Sequence, residues 1–267
     1  MQKITKLLAT KQFVFLGRLQ KKFPTAEVFL VGGIVRDALL NRPSKDYDFV
    51  VRNVPLPKLR QFLASQGHVD LVGKNFGVLK FIPRGFTGSE AIDIALPRTE
   101  HSLLTGGYRD FKVQSDPRLP IELDLARRDF TINALAFDVQ KKILIDQFVG
   151  QADLKNKIIK TVGKPSERFS EDYSRILRGL RFACQLGFTI EPNSRASIKK
   201  LTSKLNEKRD GGYVVPRETI SRELIKSFVA NPALALDLYD QSGALKVLAP
   251  ELLKMKKCPQ PANFHRA

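Results

Sequence analysis

The chemistry legible in the sequence sits in a few short charged clusters. Asp46-Tyr47-Asp48 runs into the apolar, extended stretch Phe49-Val50-Val51. Residues two apart on a strand share a face, so Asp46 and Asp48 are predicted to point together. Like charges resist this unless a cation lies between them, and paired hard oxygens that leave room for phosphate suit Mg²⁺. A polar strand start is the plainer alternative. Upstream, residues 28–31 (VFLV) read as a buried strand that enters Gly32-Gly33 and then a helix. Glycines there let a triphosphate approach backbone N–H groups and the start of that helix, with Arg36 one turn on as a fixed positive charge. Asp93, between Ile92 and Ile94 on a further strand, faces away from both. It is either a third carboxylate or proton acceptor for the pair, or a solvated edge residue.

Two further clusters lie downstream. In Arg127-Arg128-Asp129 a guanidinium can bind phosphate through two parallel hydrogen bonds, and a carboxylate can accept from ribose hydroxyls. The alternative is an exposed turn whose aspartate caps the next segment. A helix predicted over 166–186 carries Arg175, Arg178 and Arg181 every three residues, opposite Ile176, Leu177, Leu180 and Ala183. One face reads as core and the other as a cationic ridge. Asp172 and Arg175, one turn apart, present an acceptor and a planar donor fork that can read a nucleobase edge, or else form an ordinary solvated ion pair. The basic run of Arg195, Lys199, Lys200, Lys204, Lys208 and Arg209 either tracks RNA phosphates or is a solvated face.

The elements that must position these groups follow from hydrophobic spacing. Residues 1–23 read as one helix ended by Pro24, 27–31 as a strand, 34–40 as a helix and 46–51 as a second strand. Strands are predicted at 68–72, 78–82, 91–96, 135–138 and 143–146, with a helix at 57–66. Residues 1–150 therefore read as an α/β or α+β domain. From 151 to 267 helical spacing dominates, with helices predicted at 166–186, 191–205, 216–228 and 232–242 and one extended stretch at 158–162.

Composition narrows the partner. The chain has 267 residues, 45 Lys and Arg against 27 Asp and Glu, and a formal net charge of +18. The excess is spread over both halves, and a surface of that sign favours a polyanion. Hydrophobic residues make up 43% and charged residues 27%, as in an ordinary globular chain. The longest apolar runs fall far short of the ~20 residues that span a bilayer, so no membrane partner is expected. Cys184 and Cys258 form no CxxC pair, which excludes a disulfide framework or a cysteine zinc site and fits a reducing cytoplasm. His68, His101 and His265 are isolated and show no metal spacing.

These motifs together resemble a known family. Residues 30–40 (LVGGIVRDALL) followed by 46–51 (DYDFVV), then 91–100 (AIDIALPRTE), 124–136 (DLARRDFTINALA) and 171–188 (EDYSRILRGLRFACQLGF) are similar to the signature of class II tRNA nucleotidyltransferases, the CCA-adding enzymes, and related bacterial poly(A) polymerases. The resemblance implies an α+β fold: a polymerase-beta-like head with a mixed sheet over 1–150, then an all-helical neck and the start of a body over 151–267. It implies two Mg²⁺ ions at the positions of Asp46 and Asp48, which activate an RNA 3′-hydroxyl and stabilise departing pyrophosphate. It further implies triphosphate and ribose recognition by 127–129, and a protein template for an incoming C or A formed by Asp172 and Arg175, with Arg178 and Arg181 near phosphate. The expected partners are a tRNA 3′ end and CTP or ATP, with no obligate protein partner. Members adding only A or only CC share the motifs. The stretch 106–111 (GGYRDF) with ProArgThrGlu at 97–100 is similar to the tRNA-directed branch rather than the poly(A) polymerases, and intact Asp46 and Asp48 argue against a non-catalytic RNA-binding module. Members usually continue into further helical body and tail regions, which are expected to be missing here.

Overall fold

The computed structural model describes residues 2–72, 77–86, 91–107 and 110–255. Cys258, His265 and the Tyr108-Arg109 pair of the 106–111 stretch lie outside them. The chain divides into two packed units, residues 1–102 with 111–163 and residues 103–110 with 164–267. Among the described residues no helix is long and apolar enough to cross a membrane.

The first unit is built on a mixed seven-stranded sheet. Its strands are β1 (Glu27–Val31), β2 (Asp48–Arg52), β3 (Gly67–Val72), β4 (Val78–Pro83), β5 (Ile92–Ala95), β8 (Ala136–Asp138) and β9 (Ile143–Ile145), in the order β3-β4-β5-β2-β1-β8-β9. β2 and β5 run parallel, and the other pairs are antiparallel. A separate hairpin pairs β6 (Arg98–Ser102) with β7 (Phe111–Ser115), an element without strong apolar alternation that spacing alone does not predict.

Alternation along the strands fills two cores. Phe49 and Phe81 face Phe13 and Phe15, with Phe15 and Phe81 edge to face at 4.9 Å. On the opposite face Phe29, Val31 and Val50 pack with Ile121 and Leu125 of α5 (Ile121–Ala126) and with Ala134 and Ala136. Burying one such large side chain stabilises by about 1.5–3 kcal/mol. Asp48 lies on this second face, just past the end of its apolar row.

Three expectations about this unit are corrected. The N-terminal segment is not one helix: α1 (Gln2–Leu8) and α2 (Val14–Lys22) are separated at Thr10, whose backbone is extended and whose hydroxyl donates to the Leu7 carbonyl at 2.9 Å. Strand β2 begins at Asp48, so Asp46 precedes the strand. β1 stops at Val31 because Gly32 turns the chain away with φ of 78°, and Leu30 with Phe49 is the last pair. The unit also runs past residue 150. After α6 (Gly150–Lys155) the chain returns, so that Thr131 N–H donates to Lys160 O at 2.9 Å and Val162 N–H to Asp129 O at 3.0 Å. α3 (Gly33–Leu39) and α4 (Leu56–Gln66) complete the unit close to their predicted places.

The second unit is helical: α7 (Pro165–Glu171), α8 (Ser174–Leu186), α9 (Pro192–Leu201), α10 (Arg217–Ala230), α11 (Pro232–Gln241), α12 (Ala244–Leu248) and α13 (Pro250–Lys254), with a short hairpin of Lys208–Arg209 and Gly212–Tyr213. The single helix predicted over 166–186 is broken at Asp172, which is extended at φ −155° and accepts from Ser174 N–H at 2.8 Å. An aspartate two residues ahead of a helical run offers the backbone this alternative to continued helix. Residues 103–110 join this unit because Tyr173 N–H donates to Gly106 O at 2.9 Å, and a Cβ at Gly106 would overlap the Tyr173 ring.

One contact ties the fold to the site. Gly150 lies against the Thr131 carbonyl, where a Cβ would overlap backbone, and Thr131 Oγ1 donates to Asp153 Oδ2 at 2.6 Å. α6 thereby props the turn that carries Asn133. Gly150→Ala is expected to lower stability by about 1–3 kcal/mol through overpacking, measured by urea unfolding.

Candidate active site

Strand register gathers the acidic residues. Asp48 on β2 and Asp93 on β5 are Cα partners, and Asp93 N–H donates to Tyr47 O at 2.9 Å. The Tyr47 ring packs edge to face on Phe13 at 5.0 Å, which fixes the backbone between Asp46 and Asp48. Burial pushes the Asp48 carboxyl up to about 6; Asp93 and Asp46 push the same way, while Arg128 and Lys80 pull down. Asp46 is exposed. Strand alternation and register thus bring Asp48 and Asp93 together on one face, whereas Asp46, which precedes the strand, is not oriented by alternation.

The Gly32-Gly33 turn acts differently from expectation. Gly32 N–H already donates to Leu135 O, and a Cβ at Gly32 would stand 2.6 Å from Arg128 Nη1. Glycine there admits the guanidinium of Arg128 beside Asp48. Gly33 opens α3, next to Arg36. Arg36 Nη1 donates to Asn133 Oδ1 at 2.7 Å, and its other nitrogens bind Asp37.

Asp124, which spacing did not single out as a site residue, organises the arginines. It is fully buried and accepts from Arg127 Nε and Nη2 at 3.0 and 2.9 Å, from Arg128 Nη2 at 3.3 Å and from Arg98 N–H at 3.3 Å. Burial raises its carboxyl, but Arg127 and Arg128 outweigh that and hold it below the ordinary range. Arg127 also donates to Glu100 at 2.7 Å, and Arg98 shares that carboxylate. Arg128 Nη1 reaches Asn133 O at 3.3 Å, and its buried Nε finds no acceptor among the described residues. Asp129 is buried and accepts from Phe130 N–H at 2.8 Å and Asn133 Nδ2 at 3.2 Å. The i, i+3 and i, i+4 spacing of Arg127 and Arg128 from Asp124 is the sequence signal of the role of Asp124.

In the second unit, Asp172 and Arg175 stand together with Nε to Oδ2 at 3.8 Å. Arg175 Nη1 donates to Glu171 at 2.6 Å and to Arg168 O at 3.1 Å. Burial raises the Asp172 carboxyl against the pull of Ser174, Arg175 and Arg178. The face predicted as a cationic ridge opposite the core is largely packed: Arg175 and Arg181 are buried at 6% and 8% exposure. Arg181 pairs with Glu223 of α10 and lies 4.0 Å over the Phe182 ring, while Arg178 is half-buried. An arginine on a core face is stable because a buried carboxylate partners it, and the sequence spacing of 42 residues hides that pairing. Arg195, Lys199, Lys200 and Lys204 are exposed along α9 and just after it, with Lys204 bound to Glu207 at 2.7 Å.

The donor set of the first unit fits a hard divalent cation. It offers carboxylate oxygens alone, one of them held out of water among like charges, and a positive ion relieves that crowding. Among the described residues no three His, Cys, Asp or Glu side chains enclose a common point. A partial shell of one or two carboxylates completed by water and phosphate oxygens is the usual habit of Mg²⁺.

The fold and this acidic sheet face define a nucleotidyltransferase head. Residues 28–160 match the poly(A) polymerase head domain. The Multifunctional CCA protein of Stenotrophomonas maltophilia (strain K279a) is 37% identical over 244 residues, covering 90% of this chain and 55% of that protein. The Thermotoga maritima CCA-adding enzyme complexed with tRNA superposes with a TM-score of 0.71 at 27% identity, covering 98% of this chain and 57% of that one. The Bacillus stearothermophilus CCA-adding enzyme in complex with CTP gives 0.66 at 26%, covering 91% and 52%. Residues 28–160 belong to the poly(A) polymerase head-domain family, and along nine tenths of its length the chain is similar to CCA-adding enzymes. It spans about half the length of the curated relatives it matches.

The Asp48 carboxyl gives a signed stability prediction. Its pKa is about 6 when folded against 3.8 as the ordinary value. Between those values the folded chain keeps a proton that the unfolded chain has lost. Metal-free protein therefore loses about 3 kcal/mol as pH rises through that window. Asp48→Asn is expected to abolish the loss and to melt higher than the parent at pH 8 without divalent ions, measured by thermal unfolding across pH.

Proposed function

We propose that this chain is the catalytic part of a tRNA nucleotidyltransferase, which transfers CMP or AMP from CTP or ATP to a tRNA 3′ end and releases pyrophosphate. The observation that carries this reading is the register pairing of Asp48 with Asp93, beside Arg128 and Gly32, in a head of the CCA-adding type.

The 3′-hydroxyl oxygen forms a bond to the α-phosphorus, and the bond from that phosphorus to the bridging oxygen breaks. Asp46 and Asp48 would hold Mg²⁺, which when bound would supply Lewis acidity at the reacting phosphate. Arg127 and Arg128 bind triphosphate oxygens, and their anchorage on Asp124 keeps them in place before substrate arrives, so little ordering is left to the moment of reaction. Asp129, fixed by Asn133, accepts from ribose hydroxyls, and Arg36 braces the same asparagine. In the second unit Asp172 and Arg175 read the base edge, Arg178 adds positive charge, and Arg181 holds α8 on α10 through Glu223. Arg195, Lys199, Lys200 and Lys204 bind RNA phosphates through charge.

Incubation with Mg²⁺, labelled CTP or ATP, and tRNA lacking its terminal nucleotides tests the reading. Incorporation at the 3′ end is expected, and Asp46→Ala or Asp48→Ala should abolish it with the fold retained. Near-normal turnover in either variant would contradict the metal assignment. Which nucleotides are added separates CCA from CC-only and A-only addition.

The base-reading pair makes its own prediction. Asp172→Asn preserves an oxygen for the Ser174 N–H but replaces one acceptor by a donor. Competition among CTP, ATP, GTP and UTP is expected to show selectivity reduced about tenfold, the scale of one lost hydrogen bond to a charged group. Unchanged selectivity would refute the template role.

A further inference from the structure

The acidic face continues across the sheet. Asp48 is the register partner of Asp93, Asp93 of Lys80 on β4, and Lys80 of Asp70 on β3. The alternate residues Phe49, Ile94, Leu79 and Phe81 are buried on the opposite face. Four strands thus hold a row of charges on one face, negative at Asp48 and Asp93, positive at Lys80 and negative again at Asp70. Lys80 Nζ donates to Asp93 Oδ1 at 2.8 Å, and Asp70 Oδ2 lies 3.0 Å from His68 Nε2.

The two cations at this face are held differently. Arg128 is gripped by Asp124 and the Asn133 carbonyl and is mostly buried. The Lys80 side chain is 46% exposed and rides on a flexible four-carbon stem. Lys80 is therefore the cation that can move aside, and Asp70 offers it an acceptor across the next strand pair.

We propose that Lys80 is a positioning residue that holds Asp93 beside Asp48 in the metal-free protein and tunes how tightly this face takes a divalent cation. The inference rests on the acidic site assigned above. Its ammonium occupies one carboxylate oxygen of Asp93 and offsets part of the negative charge, so it orients Asp93 while competing with the incoming ion. Removing that charge should strengthen cation binding and weaken turnover together, a pairing that loss of a merely structural contact would not produce.

The test uses Lys80→Met, which keeps the apolar stem, and Lys80→Arg, which keeps the charge. Mn²⁺ binding to the full chain without nucleotide is read from the free-ion electron paramagnetic resonance signal. Lys80→Met is expected to bind Mn²⁺ about three- to tenfold more tightly, the scale of one nearby charge at a protein surface. Lys80→Arg should stay within about twofold of the parent, since it retains that charge. In nucleotide addition, Lys80→Met should lower kcat with KM for the triphosphate little changed. In an Asp93→Asn background it should have no further effect on kcat, because the two residues act as one unit. Unchanged or weaker Mn²⁺ binding by Lys80→Met overturns the proposal. So does a raised KM at constant kcat, which would place Lys80 on the triphosphate. A parent chain that binds Mn²⁺ yet adds no nucleotide would instead overturn the proposed function, and the binding comparison would still decide the role of Lys80.

Discussion

Asp48 must carry a carboxylate largely out of water, with Asp93 alongside on the neighbouring strand and Asp46 two residues before it. Left alone, such a group keeps its proton or destabilises the fold, because burial and like charges both penalise ionisation. The surrounding architecture is arranged about that conflict. Arg128 reaches the site from the end of α5 through the space that a side chain at position 32 would fill, and Lys80 approaches from the other side of Asp93. The charge balance at the site is thus set by two cations, one held in the interior and one half exposed.

The interior cation depends on parts of the fold that never approach the acids. Arg128 is directed by Asp124, a buried carboxylate whose desolvation is tolerated because Arg127, Arg128 and a backbone N–H all bind it. Asn133 links Arg36, Arg128 and Asp129, through its side chain to the first and last and through its carbonyl to the second. The turn that carries it rests on α6. The apolar face of the sheet, from Phe29 to Val162, supplies the rigidity against which these hydrogen bonds are placed.

Much of this was legible in the sequence because it is local. The continuous apolar run of 27–31 gives a buried strand, alternation within 78–82 and 91–96 gives strands and their faces, and the glycine turn marks where β1 stops. What escaped is what depends on partners distant in the chain. Strand alternation alone cannot say that Lys80 meets Asp93, since that follows from the register between β4 and β5. Arg181 reads as part of a cationic ridge until Glu223, on another helix, is placed against it. Asp172 departs from the predicted helix for a local reason: residues 166–186 have good helical spacing throughout, but the aspartate is extended at the end of α7 and its side chain accepts from the Ser174 N–H. Asp46 fell outside the strand because its would-be neighbour strand ends at Gly32.

The central claim is that a divalent cation occupies the sheet face between β2 and β5. Fe²⁺ substituted for Mg²⁺, with ascorbate and peroxide, cleaves the backbone nearest to the bound ion and so locates it. Cleavage clustered at residues 46–48 and around residue 93, suppressed by excess Mg²⁺ and absent in Asp48→Asn, is the expected result. Cleavage dispersed along the chain, or concentrated elsewhere and indifferent to Asp48, would contradict the account.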